Sequence, residues 1–156
     1  MMGIGHLVIG LVAKPAAPKI PLWVLLVATE VIDILWIILA LAGVENFGHS
    51  PWSHGLFMSA IWSVTAALLT AHFYRSYRTG ALMGVLVFSH WVLDLISHPM
   101  FGGPPNLPLL FDGSPKVGFG LYSAIGMGAA TGVELGMLAI GIAIYWAMRK
   151  RMSTTA

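Results

Sequence analysis

Apolar residues in this chain come in long unbroken blocks, with neither the alternation of a half-buried strand nor the one-sided rhythm of a soluble amphipathic helix. Residues 22–42 (LWVLLVATEVIDILWIILALA) are long enough to cross about 30 Å of hydrocarbon as a helix. Three further blocks read the same way: 54–74, which stops just before Arg75 and Arg78, then 80–97, then 121–147, which runs into Arg149, Lys150 and Arg151. A shorter block, 4–13 (IGHLVIGLVA), reaches only about half that thickness and is expected to be a half-helix or a packed interfacial helix. Polar or Pro/Gly-rich connections separate the blocks: KPAAPKIP at 14–21, a stretch at 43–53 with no Lys or Arg, and a long loop at 98–120. The pattern predicts an all-α integral membrane bundle of four transmembrane helices plus a short N-terminal half-helix, forming one domain over 1–156.

Composition agrees with a membrane chain. Of 156 residues, 58% are hydrophobic and 9% charged, against about a quarter charged in a soluble domain, and the mean hydropathy is +0.85. Four spans place Lys14, Lys19, Arg75, Arg78, Arg149, Lys150 and Arg151 on one side. The positive-inside rule makes that side of the membrane cytoplasmic and puts the C-terminus there. Lys116, the remaining base, falls in the outer loop. No basic stretch precedes the first apolar block and no A-x-A site follows it, so no cleaved signal peptide is expected. The bases flank spans without forming a stripe, which argues against nucleic-acid binding. With no cysteine in the chain, any metal must be held by imidazole and carboxylate, donors that suit zinc, manganese or iron.

The ionisable residues inside the apolar blocks change the picture. An Asp at the centre of a transmembrane helix costs roughly 2.5–3.5 kcal/mol on insertion scales, so it needs a partner. In SHWVLDLISHP (89–99), His90 and Asp94 stand at i and i+4 on one helix face, with His98 a turn later where Pro99 is expected to end the helix. At 1.5 Å per residue, Asp33 lies roughly 16 Å into its span and His90 roughly 15 Å into its own; His6, His54, His98 and Glu134 fall in the same slab, from mid-membrane to the outer surface. A hydrogen-bonded His/Asp pair without metal would explain part of this set. The convergence of imidazoles and carboxylates from five segments instead points to a site for one or two divalent cations, with His6, Asp33, His54, His90, Asp94 and His98 as the candidate ligands. Glu30, on nearly the same face as Asp33, is a ligand, a hydrogen-bond acceptor behind one, or a base acting on water. Glu134 is a packed protonated acid, a ligand or a general base. Lys116 is a solvated loop residue or the anchor for a substrate anion. Asp112 in FDGSP reads as a turn residue, His49 and His72 as bystanders, and Gly126, Gly128, Gly132 and Gly136 as positions allowing close helix packing.

Taken in order, Gly5-His6, the acid pair ending in Asp33, Pro51-Trp52-Ser53-His54, Ser89-His90-x-x-x-Asp94-x-x-x-His98 and Lys116-x-Gly118-x-Gly120-Leu121 leading to Glu134 resemble the YdjM-like family of membrane-bound metal-dependent hydrolases over nearly the whole length. Two departures stand out: Ser50-Pro51-Trp52 follows His49 where many relatives have His-Arg, and Glu30-Val31-Ile32-Asp33 replaces Pro-Asp-x-Asp. The family is remotely similar to zinc-dependent phospholipase C and P1-type nucleases. The resemblance implies a His/Asp/Glu zinc site acting on phosphoesters. The expected function is therefore hydrolysis of a phosphorylated or lipid-linked substrate that reaches the site from the membrane or the outer face. Transport of metal ions or protons would also explain charged groups in spans, but it needs a polar route through both halves of the bilayer, and the inner halves carry no acid. A structural metal scaffold is the third reading.

Overall fold

The computed structural model describes residues 4–46 and 50–154, with the side chains of 151–154 outside that set. His49 and the Arg151 side chain thus lie outside the described residues. Six helices follow in order: α1 (Ile4–Ala13), α2 (Leu22–Leu41), α3 (Leu56–Tyr74), α4 (Tyr77–Ser97), α5 (Leu121–Ile125) and α6 (Met127–Thr154); a 3₁₀ turn, Lys14–Ala16, follows α1. Four of them, α2, α3, α4 and α6, are long and apolar enough to cross a membrane. Their outward side chains are those of a lipid-facing surface: Ile38, Leu68, Val85 and Ile140 are each more than half exposed, which a water-soluble bundle of this size does not tolerate over a whole circumference. The chain is an integral membrane protein.

Local chemistry sets the ends of these helices. Pro21 precedes the first turn of α2, where a missing N–H costs nothing. At its other end Gly43 takes φ +74°; its N–H donates to the Ala40 carbonyl at 3.0 Å, and that of Val44 donates to Leu39 at 2.9 Å, closing the helix in a Schellman turn. Arg75 in a left-handed conformation joins α3 to α4, and the Ser76 side chain caps α4 by accepting the Thr79 N–H. The two helices then pack closely because Gly80 and Gly84 face α3: a Cβ on Gly80 would lie 2.4 Å from the Ala67 carbonyl oxygen.

Helix α1 is a wedge in the bundle, packed on α2, α4 and α6. Gly10 lets it approach the α2 backbone, with a notional Cβ 2.9 Å from the Leu25 carbonyl oxygen, and Gly141 of α6 receives Val8. The core lies between α2 and α4, around Leu25, Ala28, Ile32, Leu86, Val87 and Trp91. The connections 42–55 and 98–120 meet at one end of the bundle, hereafter the loop end, where the Phe57 N–H donates to the Leu109 carbonyl at 3.1 Å. The second of them contains a small antiparallel ladder, β1 (Leu107–Pro108) and β2 (Lys116–Val117).

Three expectations need correction. The block 121–147 is not one helix: Gly126, at φ +79°, breaks it into α5 and α6. The span expected from residue 54 begins at Leu56, leaving His54 in the turn before it, while α4 starts earlier than expected, at Tyr77. Gly128, Gly132 and Gly136 do not mediate close packing, since a Cβ at any of them would meet nothing within 4 Å; the close approaches fall at Gly10, Gly80, Gly84 and Gly141 instead.

Candidate metal centre

Each candidate donor comes from a different local solution. α4 carries His90 and Asp94 one turn apart on its buried face, 0% and 1% exposed. α2 runs beside it and supplies Glu30 and Asp33; α1 inserts His6, also buried. His54 enters from the turn ahead of α3, and His98 caps the end of α4, where its N–H donates to the Asp94 carbonyl.

The rings are oriented from behind. The His90 Nδ1 lies 2.7 Å from the Thr29 carbonyl oxygen, which can only accept, so Nδ1 carries a proton and, in the neutral ring, Nε2 carries the lone pair. That lone pair faces Asp33 Oδ1 at 3.4 Å and Asp94 Oδ2 at 3.3 Å. His54 is held by a longer chain. The buried Glu45 carboxylate accepts the N–H groups of Trp52 (2.7 Å) and Ser53 (3.0 Å) through Oε1, and its Oε2 accepts the Ser53 hydroxyl at 2.6 Å. With its only proton given to Glu45, the Ser53 Oγ must accept from His54 Nδ1 at 2.8 Å. In the neutral ring His54 Nε2 likewise carries the lone pair, 3.2 Å from Asp33 Oδ1 and 3.5 Å from Asp94 Oδ2. His6 stacks on His90 with ring centroids 3.8 Å apart; its Nε2 lies 3.5 Å from Asp94 Oδ1, and neither ring nitrogen has a hydrogen-bond partner. At the rim, His98 has Nδ1 3.2 Å from Asn106 Oδ1 and Nε2 3.8 Å from Asp94 Oδ1. Burial holds its imidazole below the ordinary histidine range, which favours the neutral, ligating form.

Neutral rings so oriented aim electron pairs at carboxylate oxygens, an arrangement that repels unless a proton or a metal cation lies between them. The 3.2–3.5 Å separations are those of donors sharing a cation with bonds of about 2.0–2.2 Å. Two groups of donors lie within 4.8 Å of one another, His6 with Glu30, Asp33 and His90, and His54 with His90 and Asp94. Both could hold a metal ion. The two Asp94 oxygens divide the imidazoles, with Oδ2 toward His54 and His90 and Oδ1 toward His6 and His98. Asp33, with about a third of its side chain exposed, is the most open member of the set.

Two candidates stand apart from these groups. Glu134 is fully buried on α6 and accepts the Tyr122 O–H at 2.9 Å; burial pushes the Tyr122 phenol upward, so it stays protonated and donating. Lys116 stands on β2 at the loop end, exposed. Asp112 sits in the turn between β1 and β2, as its sequence implied, and His72 lies in the last turn of α3. The orienting groups were missed in the sequence: Thr29 acts through its carbonyl, which no side-chain pattern reveals, while Glu45 had one signal, an acid in a connection without bases eight residues before Ser53.

Removing this orienting chain has a measurable consequence. Ser53→Ala is expected to lower metal affinity by about 10–100-fold, the usual effect of losing a partner behind a ligating histidine, with Glu45→Gln falling between it and the parent. Metal-competition titration checks this, and affinities unchanged in both variants would show that the chain does not orient His54.

No protein-family model matches the chain, and neither a curated protein nor a solved structure matches it.

Proposed function

We propose that this protein is a membrane-bound, metal-dependent hydrolase of phosphoesters, related to the YdjM-like family, with zinc as its metal and a lipid or lipid-linked phosphate as its substrate. One observation carries the reading: His54 and His90 are each anchored through Nδ1 to an acceptor, which turns both Nε2 atoms onto the same two carboxylates, Asp33 and Asp94. Bound divalent metal would lower the pKa of a coordinated water toward 7 and polarise a phosphoryl oxygen. Three ionised acids and four neutral imidazoles leave the site one charge from neutrality with either one or two such ions.

The chain's own groups have separable tasks. His6, His54, His90, His98 and Asp94 hold the ions from the buried side. Asp33, at the open edge, leaves room for substrate beside it. Glu30, half-buried one turn before Asp33, is placed to take a proton from attacking water. Glu134 has the different task of receiving the Tyr122 hydroxyl, which fixes α5 against α6. The depth of the donors within the spans favours substrates delivered from the membrane, and the basic ends of the helices, at 14–19, 75–78 and 149–151, favour a site on the non-cytoplasmic side.

The test is metal analysis of detergent-purified protein, followed by screening of phosphomonoesters and phospholipids with and without chelator. Stoichiometric zinc and a chelator-sensitive activity are expected. Protein that holds no metal under any loading condition would overturn the reading in favour of histidines balanced by protons alone.

A further inference from the structure

Two of the most exposed large apolar side chains are aromatic rings in a loop: Phe101 is 81% exposed and Phe119 77%. Both belong to the connection 98–120, whose only charged residues, Asp112 and Lys116, stand apart in the β1–β2 arm. The rings rise from one place. Gly118 and Gly120, on either side of Phe119, approach Pro99 so closely that a Cβ on each would lie 3.6 and 3.4 Å from its Cδ, and Phe101 follows Pro99 by two residues. The backbone there is tied to α4, since the Phe119 N–H donates to the Leu95 carbonyl and the Gly120 N–H to that of His98. Phe119 is thus held level with the last turn of a membrane span. Ile96 adjoins the tie on α4 and Leu121 follows it on α5, 40% and 41% exposed, so the apolar surface of the spans continues into the loop.

Two requirements fix the depth of this segment. Apolar rings grouped on a surface mark a place that meets a membrane or a protein. Irregular backbone, here Gly102, Gly103, Pro104 and Pro105, cannot enter hydrocarbon, where its polar groups would find no partner. Both are met at one level, the boundary between headgroups and acyl chains, where the backbone stays wet and the rings reach oil. We infer that this loop is a membrane-docking element, seated in the interfacial layer of the bilayer that the spans cross, with Phe101 and Phe119 inserted beneath the headgroups. Lipid is the occupant because the rings extend a surface that lipid already covers. The carbonyl of His98, the rim donor, holds the same segment, so docking keeps the rim of the metal centre at the level of the lipid phosphates. The substrate is then a phospholipid of that same leaflet, arriving by lateral diffusion. This last step deepens the hydrolase reading and rests on it, whereas the docking does not.

The chain has no cysteine, so a single nitroxide can be placed at a chosen position. Phe101→Cys and Phe119→Cys are labelled in the full chain in phosphatidylcholine liposomes, with Pro115→Cys in the β arm and Ile140→Cys in mid-span as references. Power-saturation EPR with oxygen and an aqueous nickel chelate reads the depth of each label. Labels at positions 101 and 119 are expected about 5–10 Å into the headgroup and acyl boundary, between the two references. Labels there as accessible to nickel as the one at position 115 overturn the inference. So do labels shielded from both reagents, the result that a second copy or another protein over the rings would give. Water-exposed labels on protein that binds metal and is active overturn the docking and leave the hydrolase reading intact. Docked labels on protein that never takes up metal support the docking and remove the hydrolase. A docked, active protein that cleaves water-soluble phosphomonoesters and spares phospholipid overturns the substrate assignment.

Discussion

Alanine at His90 or at Asp94 is expected to strip the protein of bound metal. Asp94 is the central group of the cluster: its two oxygens face His6 at 3.5 Å, His98 at 3.8 Å, His54 at 3.5 Å and His90 at 3.3 Å. Removing it takes a donor from the grouping with His54 and His90 and leaves His6 and His98 without the carboxylate they face. His90 belongs to both groupings directly. Each loss should exceed the roughly 10–100-fold that a partner behind a ligand contributes, so the purified variants should carry no stoichiometric metal and show no chelator-sensitive hydrolysis. Asp94→Asn keeps the volume and removes the charge, and should behave like alanine if coordination rather than packing is at stake. His72→Ala, at the far end of α3, should retain full metal. Elemental analysis of the four variants beside the parent decides the matter. Retention of metal by Asp94→Ala and His90→Ala would place the ion elsewhere.

Depth was legible in the sequence and lateral position was not. The rise per residue along a helix put Asp33 and His90 at matching levels, and their side chains do lie 3.4 Å apart. The same arithmetic put Glu134 in that slab; α6 packs chiefly on α1, the carboxylate accepts the Tyr122 O–H, and Glu134 is in neither grouping of metal donors. Hydrophobic blocks located the four spans because lipid tolerates little else. They could not show that Gly126 breaks the last block, since a glycine within an apolar run reads equally as a packing position. His54 was found by type and misplaced by conformation: it stands before α3, where the turn lets Ser53 and Glu45 reach its Nδ1. Thr29 contributes through its backbone carbonyl and Asn106 through a loop contact across eight residues. Such second contacts depend on how the chain returns on itself, which composition and periodicity do not encode.

Gly118→Ala is expected to disturb the metal centre from outside it. Gly118 has φ +151°, and a Cβ there would lie 2.4 Å from the His98 carbonyl oxygen and 3.0 Å from its carbon. That oxygen already accepts the Gly120 N–H at 2.7 Å, and the Phe119 N–H donates to Leu95 at 2.8 Å, so segment 118–120 is tied directly to the last turn of α4. Neither partner is the flexible end of a side chain, and alanine can be accommodated only by moving the segment or the end of α4. Either movement shifts His98 against Asp94, whose 3.8 Å separation is already the longest in the cluster. Metal affinity should fall by about tenfold, near the lower bound for a disturbed partner of a ligand, and the variant should lose about 1–3 kcal/mol of stability from backbone strain. Gly113→Ala supplies the contrast. It has φ +77° in the same loop, but its Cβ would meet nothing within 4 Å, so it carries a strain cost without reaching His98 and should keep the parent's metal affinity. Thermal unfolding and metal competition on both variants separate the two effects. Equal metal affinity in Gly118→Ala and Gly113→Ala would show that the glycine segment serves the loop alone and that His98 is positioned by α4 without it.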